Sequence, residues 1–267
     1  MPVNEQDRAD YAFLQENAQV ARARQTPFAL HLEQPLSLWN YIRIANDIAQ
    51  QAPAGTLLDW GCGYGQMAYL LKQRGFQVTA YDIGEPDERL PDLPLGRELE
   101  VIRTPHPTAL PFTDGQFEAV LSCGVLEHVD EFSQPGNERI SLREIARVLR
   151  SPDPVSGKPG GIFLIYQLPQ RYAWQEAVIR RLKLGYAHPR RFTAAEIRHV
   201  LAETDYEVLR VRRANLIPKN LTGMPQRVRQ LYNRVGRSFI TLDGWLSNLP
   251  FLRHLAGVLE VTARRRA

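Results

Sequence analysis

The chain has 267 residues, 44% of them apolar, which suffices for one α/β domain with insertions and a substantial core. No apolar run approaches the roughly 18 residues of a membrane span, and the polar start Met1-Pro2-Val3-Asn4-Glu5 has no signal-peptide core. Two cysteines, Cys62 and Cys123, exclude a disulfide framework, so a cytoplasmic location is expected. The net charge of +4 is uneven: residues 1–170 hold 14 basic and 22 acidic side chains, whereas residues 171–267 hold 19 and 7. A basic final third suits a solvated face, an anionic acceptor, a membrane surface or nucleic acid.

Residues 5–24 are expected to form an amphipathic helix with Tyr11, Phe13, Leu14 and Val20 on its apolar side. Pro35 opens a second helix running to about Gln51. Thr56 to Trp60 is a short apolar run ended by glycines, as a buried parallel strand would be. A helix from Tyr64 to Arg74 stops at Gly75, and Phe76 to Tyr81 is the next strand, ending at Asp82. After a Pro-rich loop come a strand at Leu99–Arg103, another at Phe117–Ser122, a helix at Ile140–Arg150 and a strand at Ile162–Tyr166. Thr193-Ala194-Ala195-Glu196 is a capping box that starts a helix. Val208–Ile217 is expected as a strand, Pro225–Leu246 as a helix and Gly257–Ala263 as a last strand. Strands alternating with helices predict a doubly wound, mostly parallel sheet, with N-terminal helices and a helical insertion near the C-terminus.

Gly61, Gly63 and Gly65 lie between the first strand and a helix, where absent Cβ atoms let a ligand approach the backbone. The spacing G-x-G-x-G, preceded by Asp59, departs from the dinucleotide fingerprint G-x-G-x-x-G. A carboxylate beside the loop is awkward for a pyrophosphate and suits an ammonium group. Asp82, about 20 residues on, is placed to accept from two ribose hydroxyls. A ligand with ammonium, carboxylate and ribose is S-adenosylmethionine.

The stretch Leu58-Asp59-Trp60-Gly61-Cys62-Gly63-Tyr64-Gly65 resembles the first motif of class I S-adenosylmethionine-dependent methyltransferases. Leu110-Pro111-Phe112-Thr113-Asp114 through Val120, then Val125-Leu126-Glu127-His128-Val129 and Glu144 to Arg150, are similar to their type 11 branch in that order. The resemblance implies a Rossmann-like methyltransferase fold with a seven-stranded sheet. It also implies roles by position. Asp59, Gly61, Cys62, Gly63 and Gly65 would hold the methionine end, Asp82 the ribose and Leu110 the adenine. Ser122 and Cys123 would approach the methionine moiety. The family's usual acid four residues before the Leu of Leu-Pro-Phe is here His106, followed by Pro107, which has no N–H. A neutral His106 nitrogen or a backbone carbonyl is expected to meet the adenine.

His128 is the candidate catalytic base, since histidine titrates in the useful range and follows the fourth strand. No metal is expected: Glu127 and His128 are adjacent, and the further acid of a Glu-x-x-Glu-His pattern falls on Gly124. Tyr166, Gln167, Tyr172 and Trp174 are placed in the acceptor pocket, Arg190 and Arg191 as an anion cradle, and Tyr11 and Phe28 at a lid. The expectation is one methyltransferase domain over residues 1–267. It comprises a helical cap (1–51), a cofactor-binding core (52–170) and acceptor-side elements with the last strands (171–267). The expected acceptor is a small-molecule, sugar or lipid-linked species, possibly anionic, with oxygen preferred. Peripheral membrane contact stays open and nucleic acid is disfavoured. An RNA or protein methyltransferase, or a non-catalytic partner subunit, is the alternative.

Overall fold

The computed structural model describes residues 4–25, 32, 34–86, 88, 90–106, 108–131, 136–183, 186–219 and 226–266. Seven strands form one sheet: β1 (Thr56–Trp60), β2 (Gln77–Ile83), β3 (Val101–Thr104), β4 (Ala119–Cys123), β5 (Ile162–Pro169), β6 (Tyr206–Ala214) and β7 (Val258–Arg265). Their order is β3-β2-β1-β4-β5-β7-β6. The first five are parallel, and β7 runs antiparallel to both β5 and β6. The strand order reverses between β1 and β4, where open α/β sheets part at their carboxyl ends.

Eight helices occur among the described residues: α1 (Glu5–Arg24), α2 (Pro35–Gln51), α3 (Gln66–Lys72), α4 (Pro94–Arg97), α5 (Asn137–Val148), α6 (Trp174–Leu182), α7 (Ala194–Ala202) and α8 (Gln226–Leu246). The first two start and stop where the sequence indicates. Asn4 caps α1 by accepting the Asp7 N–H at 2.6 Å, and Pro35 occupies the first turn of α2. The Thr193 capping box forms as expected. The sequence did not signal α4 or α6. Expected β6 ends early because Asn215 turns left-handed (φ 62°) and gives its N–H to Asp243. Expected β3 starts two residues late, at Val101, and Leu99 packs against Gly65 instead.

One face of the sheet packs Phe117, Leu142, Ile145, Phe163, Phe192 and Tyr206, and the other packs Ile42, Ile48, Leu57, Leu70 and Leu164. The buried side of α1 departs from the apolar stripe expected of it. Asp7, Asp10 and Asn17 are buried beside Leu14, Ala18 and Ala21. Arg74, just after α3, gathers these charges, bonding Asp10 at 2.8 Å and Asp7 at 3.3 Å. Buried polar groups survive only when paired in this way.

A second buried cluster ties α2 to the last strands. Glu260 of β7 meets Arg43 of α2 at 2.5 Å and also bonds Arg212 of β6. Burial alone would raise its pKa, but the two guanidinium groups bring it down to about 2. Glu260→Ala is expected to cost about 3–5 kcal/mol in chemical denaturation, because it leaves Arg43 with only Asn40 and Arg212 with only Asp47 in a buried setting. A depressed carboxylate stabilises the fold above its unfolded pKa. The Glu260 contribution should therefore persist down to about pH 4.5 and fade towards about pH 2. A wild-type stability unchanged by Glu260→Ala would refute this.

Candidate active site

The parallel register sets Asp59 of β1 level with Ala80 of β2 and Leu121 of β4, at the carboxyl end where the sheet parts. The chain then turns through Gly61 (φ 74°), Gly63 (φ 55°) and Gly65 (φ 84°), all left-handed and open mainly to glycine. A Cβ on Gly61 would lie 2.5 Å from Val125, whereas one on Gly63 would meet nothing within 4 Å. Gly63 therefore faces the room a ligand needs. The Gly61 and Cys62 N–H groups both donate to the Tyr81 carbonyl at 2.9 Å.

Asp82, at the end of β2, closes the loop from the other side. Its carboxylate accepts the Gly63 N–H at 2.7 Å and the Ile83 N–H at 2.8 Å. Each oxygen keeps a lone pair for a hydroxyl. Burial raises its pKa, against the pull of these N–H groups and Arg103.

Asp59 is buried. One oxygen accepts the Ala68 N–H in the first turn of α3, while Oδ2 has no partner. Burial, and then the Asp82 charge, push its pKa up to about 7. A buried carboxylate oxygen without a donor is costly unless a ligand supplies one. Tyr41 of α2 lies over this end of the site, hydrogen-bonded to Gln66; burial, and then the nearby Cys123 and Asp59, push its pKa up. Ser122 is buried with Oγ unpartnered, and burial keeps the Cys123 thiol protonated. Cys62 is buried within the loop.

The adenine end is less complete. Leu110 is buried and donates its N–H to Glu144 at 2.8 Å. Arg147 of α5 grips the Leu110 and Phe112 carbonyls and Asp114, so one ion pair with Glu144 holds this loop. His106 is exposed, and its carbonyl accepts from Tyr81 Oη at 3.3 Å. Pro107 and Phe28 lie outside the described residues.

A cavity of about 420 Å³ opens between these segments, lined among others by Gly61, Asp82, Val125, His128, Glu131 and Tyr186. Leu126–His128 form a short 3-10 turn directly after β4. Glu131 accepts at His128 Nδ1 (3.0 Å) and from Tyr186 Oη (2.6 Å). These bonds outweigh the little burial it has and lower its pKa, so it is an acceptor. His188 bonds Glu176 at 2.7 Å through Nδ1, and its ring lies 5.5 Å from that of His128. Buried Glu127 has Oε2 unpartnered, and burial raises its pKa to about 7. Glu127, His128 and His188 each place a ligand atom within 4.8 Å of the others, a spacing that could hold a cation.

Several expected acceptor residues serve otherwise. Tyr166 is buried against Asp47 and Gln51, Trp174 bonds the Leu216 carbonyl, and Tyr172 faces solvent. Arg190 is committed to Glu138 and stacked on Phe192, and Arg191 bonds the Arg171 carbonyl, so the two form no open anion cradle. Glu131 and Tyr186 were missed; no local spacing marks them, because they meet His128 only through the fold.

The sheet order places the glycine loop and the two strand-end aspartates at the carboxyl end of a Rossmann-like sheet. Residues 58–165 match the family model described as "Methyltransferase domain". A SAM-dependent methyltransferase from Thermotoga maritima shares the fold at TM-score 0.55, with 16% identity over 94% of this chain and 98% of its own. A SAM dependent methyltransferase from Archaeoglobus fulgidus does so at 0.54, with 13% identity over 85% and 93%. "Probable tRNA methyltransferase 9B" from Bos taurus is 31% identical over 124 residues, 46% of this chain and 24% of the relative. The Mus musculus protein of that name is 29% identical over 142 residues and 28% of its length. The chain thus spans about a quarter of the curated relatives it matches. Residues 58–165 thus match a methyltransferase domain, on a fold shared with methyltransferases named for their dependence on the cofactor S-adenosylmethionine. The orphaned Asp59 oxygen fits the cofactor's ammonium, the room at Gly63 its close approach, and the spare Asp82 lone pairs its ribose.

Asp59 must be ionised to hold an ammonium, so ligand binding should expel its proton. Affinity for S-adenosylhomocysteine is expected to fall about tenfold from pH 8 to pH 6, as Asp59 is protonated through about 7. Titration calorimetry of wild type and Asp59→Asn checks this. The variant should bind weakly with a flat profile, and a flat wild-type profile would contradict the assignment.

Proposed function

We propose that this domain methylates a hydroxyl oxygen of a small or lipid-linked acceptor in the cavity beside His128. The observation that carries this is the Glu131–His128 pair on the cavity wall. Ionised Glu131 accepts only, so it fixes the proton on Nδ1 and leaves Nε2 as the basic nitrogen. When bound, the cofactor supplies an electrophilic methyl carbon on a sulfonium centre. That methyl carbon would pass to the acceptor oxygen, with the carbon–sulfur electron pair left on the departing thioether. His128 Nε2 takes the hydroxyl proton, and Glu131 stabilises the resulting imidazolium. Val125 and Val129, with the glycine loop, form the apolar wall that orients the acceptor.

A second reading, RNA methylation, draws on the name of the curated relatives and on the basic final third. Against it, Arg190, Arg212 and Lys219 of that third are spent on internal ion pairs. Methyl-labelled cofactor incubated with cellular extract should deliver label to the small-molecule or lipid fraction. Label in precipitable RNA would favour the second reading.

His128→Ala is expected to lower kcat by about 10²–10⁴-fold while leaving S-adenosylhomocysteine affinity unchanged. Unchanged turnover would remove His128 from the chemistry. Because this reading uses His128 for proton transfer and places no cation between Glu127, His128 and His188, chelation with EDTA should not alter turnover. A loss restored by a divalent cation would reassign them to a metal.

A further inference from the structure

Two exposed apolar stripes meet beside the cavity. On α6, Trp174, Val178 and Leu182 are spaced four residues apart and are 38%, 37% and 59% exposed. At the end of α8, Leu242 and Trp245 are followed by Leu249, Phe251 and Leu255, with Trp245 78% and Phe251 91% exposed. The two stripes are fixed to each other. Trp174 gives its N–H to the Leu255 carbonyl at 3.2 Å, and Gln170 donates to the His254 and Ala256 carbonyls. Single exposed apolar residues need no explanation; a joined patch with two large aromatic side chains does.

The exposed charges of these two segments are of one sign. Residues 174–183 contain one acid, Glu176, and residues 242–256 contain one, Asp243. Both are buried: Glu176 bonds His188, and Asp243 bonds Lys219 at 2.5 Å. The exposed ions are Arg180, Arg181, Lys183 and Arg253, all positive.

We propose that this face docks on an anionic lipid bilayer surface. Aromatic and aliphatic side chains would enter the boundary between headgroups and acyl chains while the cations meet anionic headgroups. A second copy of the chain is disfavoured as occupant, because a twofold contact would set these cations against one another. Docking is peripheral: no described helix is long and apolar enough to cross a membrane. Tyr186, on the cavity wall, follows α6 within a few residues, so docking brings the cavity close to the lipid plane. This deepens the lipid-linked acceptor reading proposed above. The docking itself is measured without turnover, so the two can fail separately.

The test is sedimentation of the full chain with vesicles of phosphatidylcholine alone and with about one third phosphatidylglycerol. Binding should be at least about tenfold tighter to the anionic vesicles and should weaken with salt. Trp245→Ser with Phe251→Ser should reduce it about tenfold or more, and Arg180→Gln with Arg181→Gln and Lys183→Gln about 100-fold. Both variants should keep the wild-type circular dichroism spectrum and S-adenosylhomocysteine affinity. Equal binding to both vesicle types would overturn the proposal. So would a concentration-dependent dimer that the Trp245/Phe251 variant abolishes.

Discussion

One carboxylate holds the cofactor end together. Asp82 accepts N–H groups from Gly63 and from its own neighbour Ile83, so the tip of β2 is tied to the loop that follows β1. Three left-handed glycines make that loop possible, and the Tyr81 carbonyl secures its first two N–H groups. The tie also brings a second acid near the first. The Asp82 charge, added to burial, is why Asp59 stays protonated until about neutral pH without a ligand. The site is therefore held in an electrostatically unfavourable state that a bound ammonium relieves.

The remaining elements keep the walls around that centre in place. Arg147 and Glu144 on α5 hold the Leu110 loop, and Glu260 joins α2 to β6 and β7, which carries Tyr41 over Asp59. On the acceptor side, Glu131 and Glu176 each fix one histidine, and Glu131 also anchors Tyr186. Carboxylates thus orient most of the polar groups in the cavity, which explains why so many acids are partly buried on this side of a basic protein.

The sequence was most legible where its signals are local. Pro35, the glycine loop and the Thr193 capping box each depend on neighbours within a few residues, and each stands where expected. It was least legible where distant charges pair. The buried acids of α1 make sense only with Arg74, and Arg190 looked like an anion site until Glu138 came to meet it. Likewise, Glu127 and His128 were two adjacent groups without a third until the fold delivered His188. Glu144 and Arg147 were visible as a motif, but their hold on the Leu110 loop was not.

The central claim is that Asp59 and Asp82 orient the cofactor so that its sulfur faces the His128 cavity. A crystal structure with S-adenosylhomocysteine tests it most directly. The account predicts the ammonium on Asp59 Oδ2, both ribose hydroxyls on Asp82, and the sulfur open towards His128 and Tyr186. A ligand with its ribose away from Asp82, or its sulfur turned from His128, would contradict it.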